Sequence, residues 1–250
     1  MSAQGNSTQK FTGKSVQVVG ASHGIGEEIA RAFAGEGADV LIVGRDKARL
    51  EAAAARIGHP VRAQQADARV QQDVDALYAD TPRVDHLVLA VSGGMAGLGP
   101  LAELSDAALR EGFEGKVFAQ LRVLRAALPV LAPDASVTFI GAGSSRAAFP
   151  GTVGLAAANG ALDAAVRPLA AELAPVRVNA VAPGIIDTPW WHPLGENREA
   201  FLADAAGRTP VGRIGTVQDV AEAVLFLAGN GFTTGVVLDV NGGTTLATGR

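Results

Sequence analysis

The sequence predicts an α/β protein, a single three-layer domain with helices on both faces of a doubly wound parallel sheet of about seven strands. Two observations carry that expectation. Short runs rich in β-branched residues alternate with longer alanine-rich stretches of helical spacing along the whole chain. A strand, a helix and a further strand in succession close as right-handed crossovers, which makes the sheet parallel and covers both its faces. No linker-like composition divides the 250 residues, so one domain is expected.

The elements follow in order. Residues 1–12 are polar, carry Gly5 and Asn6 and lack the apolar core of a secretion signal, so they read as a loose leader before a domain spanning 13–250. Strand and helix alternate through 15–19 and 26–36, 39–43 and 47–57, 61–65 and 70–79. A fourth strand at 85–91 precedes a long helix over 107–128; a fifth at 136–140 precedes a helix over 155–173. Strands at 176–181 and 236–240, with a helix at 216–227 between them, close the pattern. The exception is 188–213, where Trp190, Trp191, His192, Pro193, Gly195 and Pro210 interrupt the periodicity. A long irregular insertion of that kind is expected to be a substrate loop that closes as a lid.

Composition narrows the function. There is no cysteine, which excludes a disulfide framework, a thiolate metal site and a cysteine nucleophile. His23, His59, His86 and His192 are scattered over different segments, so no metal site is expected. A net charge of −4 argues against nucleic acid or an anionic membrane as the main partner. The longest apolar runs are strand-length and interrupted by charge, so no membrane span and a cytoplasmic location are expected. The 31 glycines fall largely in turns between periodic segments.

The first of these turns carries chemistry. Gly20, Gly24 and Gly26 sit directly after a strand and open a helix, with Ser22, His23 and Ile25 between them. Glycine permits a tight turn and close approach of the backbone to phosphate oxygens, and the helix N-terminus aims free N–H groups at a pyrophosphate. The spacing G-x-x-x-G-x-G in Val19-Gly20-Ala21-Ser22-His23-Gly24-Ile25-Gly26 resembles the nucleotide motif of the short-chain dehydrogenase/reductase family. Asn179-Ala180-Val181-Ala182-Pro183-Gly184-Ile185-Ile186-Asp187-Thr188 resembles that family's segment after the sixth strand, and Gly212-Arg213-Ile214-Gly215 through Val240-Asn241-Gly242-Gly243 its C-terminal end, so that the resemblance covers nearly the whole chain. It implies a Rossmann-type fold and a nicotinamide dinucleotide.

By the same resemblance Pro183, Gly184, Ile186 and Thr188 would meet the nicotinamide end. Ala90 and Val91 after the fourth strand, Asp67 and Ala68 after the third, and Asn159 would complete the cofactor-binding set. Asp67 reads equally as a cap for the helix from Val70. At the end of the second strand, where an NAD site places a carboxylate, stand Gly44 and then Arg45. Arg45, with His23, suits the 2′-phosphate of NADP; Asp46, one residue later, and a merely solvated Arg45 remain as alternatives.

The catalytic pattern departs from the family. Where it has a tyrosine and, four residues on, a lysine, this chain has Leu155 and Asn159. The serine place holds Ala142, with Ser144 and Ser145 close behind, and the asparagine of the middle helix becomes Lys116. The only tyrosine, Tyr78, belongs to another helix and reads as packing. Lys116, Ser144 and Ser145 are therefore the candidate catalytic residues of a reductase acting on a small carbonyl, imine or activated alkene. His192 is an alternative helper, and Lys116 on an exposed helix turn is the bland one. A catalytically inactive NADP-binding sensor or scaffold is the alternative function. Gly141-Ala142-Gly143-Ser144-Ser145 lacks the second glycine of a hydrolase elbow. Family resemblance implies a homo-oligomer, a dimer or tetramer, and a small-molecule substrate.

Overall fold

Every β-branched run becomes a strand lying parallel to its neighbours. The computed structural model describes residues 9–246; most of the expected leader, residues 1–8, lies outside them. The strands are β1 (Ser15–Val19), β2 (Asp39–Gly44), β3 (Arg62–Gln65), β4 (Val84–Leu89), β5 (Leu131–Ile140), β6 (Arg177–Pro183) and β7 (Val237–Val240). They form one sheet in the order β3-β2-β1-β4-β5-β6-β7. The helices are α1 (Gly24–Gly35), α2 (Lys47–Ile57), α3 (Gln71–Ala79), α4 (Asp106–Phe113), α5 (Ala119–Ala127), α6 (Val153–Glu172), α7 (Arg198–Arg208) and α8 (Val217–Gly229). This is the expected single Rossmann-type domain.

Alternation along the strands builds two cores. Val16, Val18, Val40 and Ile42 face α1, α2 and α8, with Ile29, Phe33, Leu50, Val220 and Val224. Val19, Leu41, Val43, Leu87 and Phe139 face the opposite way, against Val74, Val123 and Leu162 of α3, α5 and α6. Successive strand residues point to opposite faces, so a strand buried on both needs an apolar residue at nearly every position. Each fully buried Phe, Leu or Ile contributes about 1.5–3 kcal/mol. Tyr78 is buried with this second core, where its hydroxyl donates to Gln17 Oε1 at 2.6 Å. Desolvation pushes its phenol far above the ordinary range.

Several boundaries differ from the sequence reading. Phe11 is buried edge-on to Phe33 (4.8 Å) and His86 (5.2 Å), so the end of the expected leader is anchored to the core. The first helix opens at Gly24, inside the glycine turn. The middle helix is not uniform: α4 and α5 flank a π-helical turn over Glu114–Phe118. The segment 188–213 is more regular than expected, with a 3₁₀ stretch over Pro189–Asn197 and then α7. That helix buries only Leu202 and Ala205, which is why its apolar periodicity is weak. Trp191 stacks obliquely on Phe201 at 4.7 Å, and its indole N–H donates to Ile186 O at 2.9 Å. Among the described residues no helix is long and apolar enough to cross a membrane.

Candidate functional site

The glycine turn lies where the sheet order reverses, between β1 and β4, at the carboxyl ends of the strands. Gly20 has φ +95°, and a Cβ there would stand 2.7 Å from Ala90 O and 2.8 Å from Val91 N. The turn and the end of β4 therefore touch backbone to backbone. A Cβ on Gly26 would collide with the Gly20 carbonyl, so this position too admits only glycine. His23, the N-cap of α1, offers no side-chain cap. The first amides of that helix, with its positive dipole end, are thus left for an anion. Thr188 lies over the turn, its methyl 3.5 Å from where a Gly24 Cβ would be. The structure so brings Gly20, Ser22, Gly24, Ile25, Gly26, Ala90, Val91 and Thr188 to one edge. Pro183 ends β6, Gly184 packs on Asn241, and Ile186 gives its carbonyl to Trp191.

At the end of β2 the polar groups sort by charge. Asp46 is the N-cap of α2: its Oδ1 accepts from Arg49 N at 3.0 Å, and Arg49 Nε lies 3.6 Å from Oδ2. That carboxylate is committed to its own helix. Arg45 is exposed, its backbone carbonyl held by Gln65 Nε2 at 3.0 Å. His23 sits beside Arg49; partial burial first, then that guanidinium, lower its pKa. Arg45 and Arg49 bring guanidinium groups to this corner, while His23 is held toward its neutral form. Asp67 does not cap α3, whose N-cap is Val70; its Oδ1 accepts from Arg69 N, and its own N–H donates to Asp73. Ala68 is buried, its carbonyl accepting from Arg122 at 3.0 Å.

The second cluster is built across β5, α6 and the π-helical turn. Inserting one residue into the helical ladder re-aims the side chains that follow, and such turns gather at functional sites. Lys116 sits in it and donates from Nζ to Gly141 O at 3.1 Å. It is not the exposed helix lysine that its sequence surroundings also allowed. Burial pushes its ammonium down to about 8, against a smaller opposing pull from Asp163. Gln120, one turn on, is fully buried and donates to Val91 O (2.8 Å) and Ile140 O (3.3 Å), tying together the ends of β4 and β5. On α6, Asn159 Nδ2 donates to Ser144 Oγ (3.1 Å) and Leu155 O (2.8 Å). Ser145 Oγ instead donates to Asp163 Oδ2 at 2.6 Å, and Arg146 joins Asp163 to Asp239. His192 is exposed on the 3₁₀ stretch.

Lys116, Ser144 and Asn159 thus converge where β5 ends, while Ser145 turns toward Asp163. Sequence reasoning missed Asp163, Arg146, Gln120 and Arg49. No motif marks them; only the i, i+4 spacing of Asn159 and Asp163 on one helix face was there to be read. Among the described residues no group of acidic or histidine side chains is placed to hold a metal.

A doubly wound sheet with a glycine turn at its switch point defines the Rossmann-type class. Within it, the family model described as "Enoyl-(Acyl carrier protein) reductase" matches residues 20–245. The chain is 32% identical to the short-chain dehydrogenase/reductase ATR9 of Stachybotrys chlorohalonatus, over 92% of this chain and 96% of that one. It is 33% identical to a galactitol 2-dehydrogenase (L-tagatose-forming) of Cereibacter sphaeroides, over 95% and 97%. A small-chain dehydrogenase solved in complex with NADPH superposes with a TM-score of 0.81 at 26% identity, covering 94% of this chain and 99% of that one. The chain belongs to the short-chain dehydrogenase/reductase family, a family of oxidoreductases.

Proposed function

We propose that this protein is an NADP(H)-dependent oxidoreductase that reduces a small carbonyl, imine or activated alkene, with Lys116 as proton donor in a non-standard active site. One observation carries the reading: a half-buried lysine gives its ammonium to the carbonyl of Gly141 where β5 ends, just before the loop on which Ser144 is bonded by Asn159. Leu155 in the tyrosine's place has no proton to give, and Asn159 in the lysine's place has no charge. An ammonium whose pKa is about 8 is charged at neutral pH yet far more acidic than an ordinary lysine, which suits a general acid.

The turn fits a dinucleotide, because the room that a Cβ would fill at Gly20 and Gly26 and the uncapped start of α1 together suit a pyrophosphate. Arg45, with His23, would hold a 2′-phosphate, and Asp46 is engaged with Arg49 of its own helix. The NADPH complex of a relative supports that preference. Asp67 and Ala68 would line the adenine, and Pro183, Gly184, Ile186, Thr188 and Asn159 the nicotinamide end. The bound cofactor supplies a hydride to the substrate carbon. Ser144 would orient the substrate oxygen or nitrogen, and one N–H bond of Lys116 breaks as that atom gains its proton. The resulting amine recovers a proton from solvent. The segment 188–213 would close over the substrate.

The test is oxidation of NADPH and NADH, followed by absorbance, with a panel of carbonyls, imines and enones. The expected result is turnover by the wild-type chain with NADPH. Lys116→Ala should lose about 10²–10⁴-fold of that rate while binding NADPH as well as before. Tight NADPH binding with no turnover across the panel would instead support the inactive sensor or scaffold, which Leu155 and Asn159 favour.

A further inference from the structure

We propose that Asp163, acting with Asn159, is the positioning residue for Lys116: the two side chains form an acceptor pair on one face of α6 that holds the ammonium in its charged form at the end of β5. This rests on the reading of Lys116 given above. An ammonium carries three N–H donors, and Lys116 uses one, on Gly141 O. Within the same pocket two buried acceptors have no partner among the described residues, Asn159 Oδ1 and Asp163 Oδ1. Both converge on Gly141, since a Cβ there would lie 3.5 Å from Asp163 Oδ1 and 3.9 Å from Asn159 Oδ1. A buried acceptor left without a donor costs about 1–3 kcal/mol, more if charged. Either acceptor, Asp163 the stronger by its charge, can take one of the two unspent donors, which leaves the third N–H free for a substrate atom.

The remaining charges leave this role to Asp163. On the helix bearing Lys116, Glu114 pairs with Arg122 (3.0 Å) and Glu111 with Arg69 (2.8 Å). From α6 the facing charge is Asp163, the one group whose field is felt at Lys116. From the loop after β5, Arg146 binds Asp163 Oδ2 at 2.9 Å and Asp239 at 2.6 Å. Asp163 thus stands between two cations. Its Oδ2 is occupied by Arg146 and Ser145, and its Oδ1 is directed to the lysine's pocket. Removing its charge should make the ammonium less stable, and removing Arg146 should make it more so.

The experiment is a pH titration of the Lys116 side chain by ¹³C NMR of lysine-labelled full-length protein with NADPH bound, the signal assigned by its loss in Lys116→Arg. Asp163→Asn should move the Lys116 midpoint down by about one pH unit, and Asp163→Glu should restore much of it. Arg146→Met should move it up. A purely structural role for Asp163 predicts a midpoint that stays put or moves the same way in both variants, and that result overturns the proposal. Should Asp163→Asn not fold, the Arg146→Met direction decides alone. The titration needs no turnover, so a protein inactive on every substrate would still report on Asp163, and a midpoint that ignores Asp163 would leave the proposed reaction untouched.

Discussion

In the proposed reading Arg45 sets which cofactor binds and Lys116 sets what the site does with it. Arg45 stands exposed at the end of β2 while Asp46 caps its own helix, so a 2′-phosphate would find a guanidinium there whose neighbouring carboxylate is already bonded. A hydrogen bond to a charged group contributes about 1.5–3 kcal/mol. Arg45→Ala should accordingly weaken NADPH binding by roughly 10- to 100-fold, leaving NADH binding nearly unchanged, as read by cofactor fluorescence titration. Equal losses for both cofactors would remove Arg45 from the 2′-phosphate site. How far these residues were legible differs with the signal each carries. Arg45 is readable because the charge at a strand end is a local feature. Lys116 is reachable only by aligning the chain to a family pattern, and its burial depends on a π-helical turn that no periodicity announces. Asp163 carries no motif, and the role proposed for it depends on α6 packing against the end of β5.

At the scale of elements, the turn between β1 and α1 and the start of α8 make separate predictions. A methyl at Gly26 collides with the Gly20 carbonyl, which is backbone and cannot swing aside. Gly26→Ala should destabilise the protein by about 1–3 kcal/mol and weaken NADPH binding, measured by denaturant unfolding and cofactor titration. The α8 helix begins with a capping box: Asp219 Oδ2 accepts from Thr216 N at 2.7 Å and Thr216 Oγ1 from Asp219 N at 3.3 Å. Thr216→Ala should cost about 1 kcal/mol. The Arg213 guanidinium, then the Thr216 amide, hold the Asp219 carboxyl well below the usual carboxylate range. A depressed carboxyl stabilises the fold above its unfolded pKa near 4 and loses that contribution as the pH falls further. Asp219→Asn should therefore melt lower than wild type at pH 7, with the gap closing toward pH 3. The strands were legible because β-branched runs and turn glycines are local signals. The α7 helix was not, because an exposed helix with two buried residues leaves little apolar periodicity.

Over the whole molecule, the reversal of strand order beside β1 opens the crevice in which turn, strand ends and the Lys116 cluster face the same way. Phe226 on α8 and Phe232 and Val236 in the segment before β7 are each exposed, and we propose that this edge of the sheet joins copies of the chain. Light scattering should then give a mass two or four times that of the chain, and Phe226→Glu should reduce it; a monomeric wild type would contradict this. With Tyr78 locked in the core, the half-buried Lys116 is the proposed acid of the reductase. The most direct test is the pH dependence of NADPH oxidation with an accepted substrate, from pH 6 to pH 10. The prediction is a rate that is flat below neutrality and falls above about pH 8, as the ammonium is lost, with the limb absent in Lys116→Ala. A rate unchanged through pH 10, or full activity without Lys116, would contradict it.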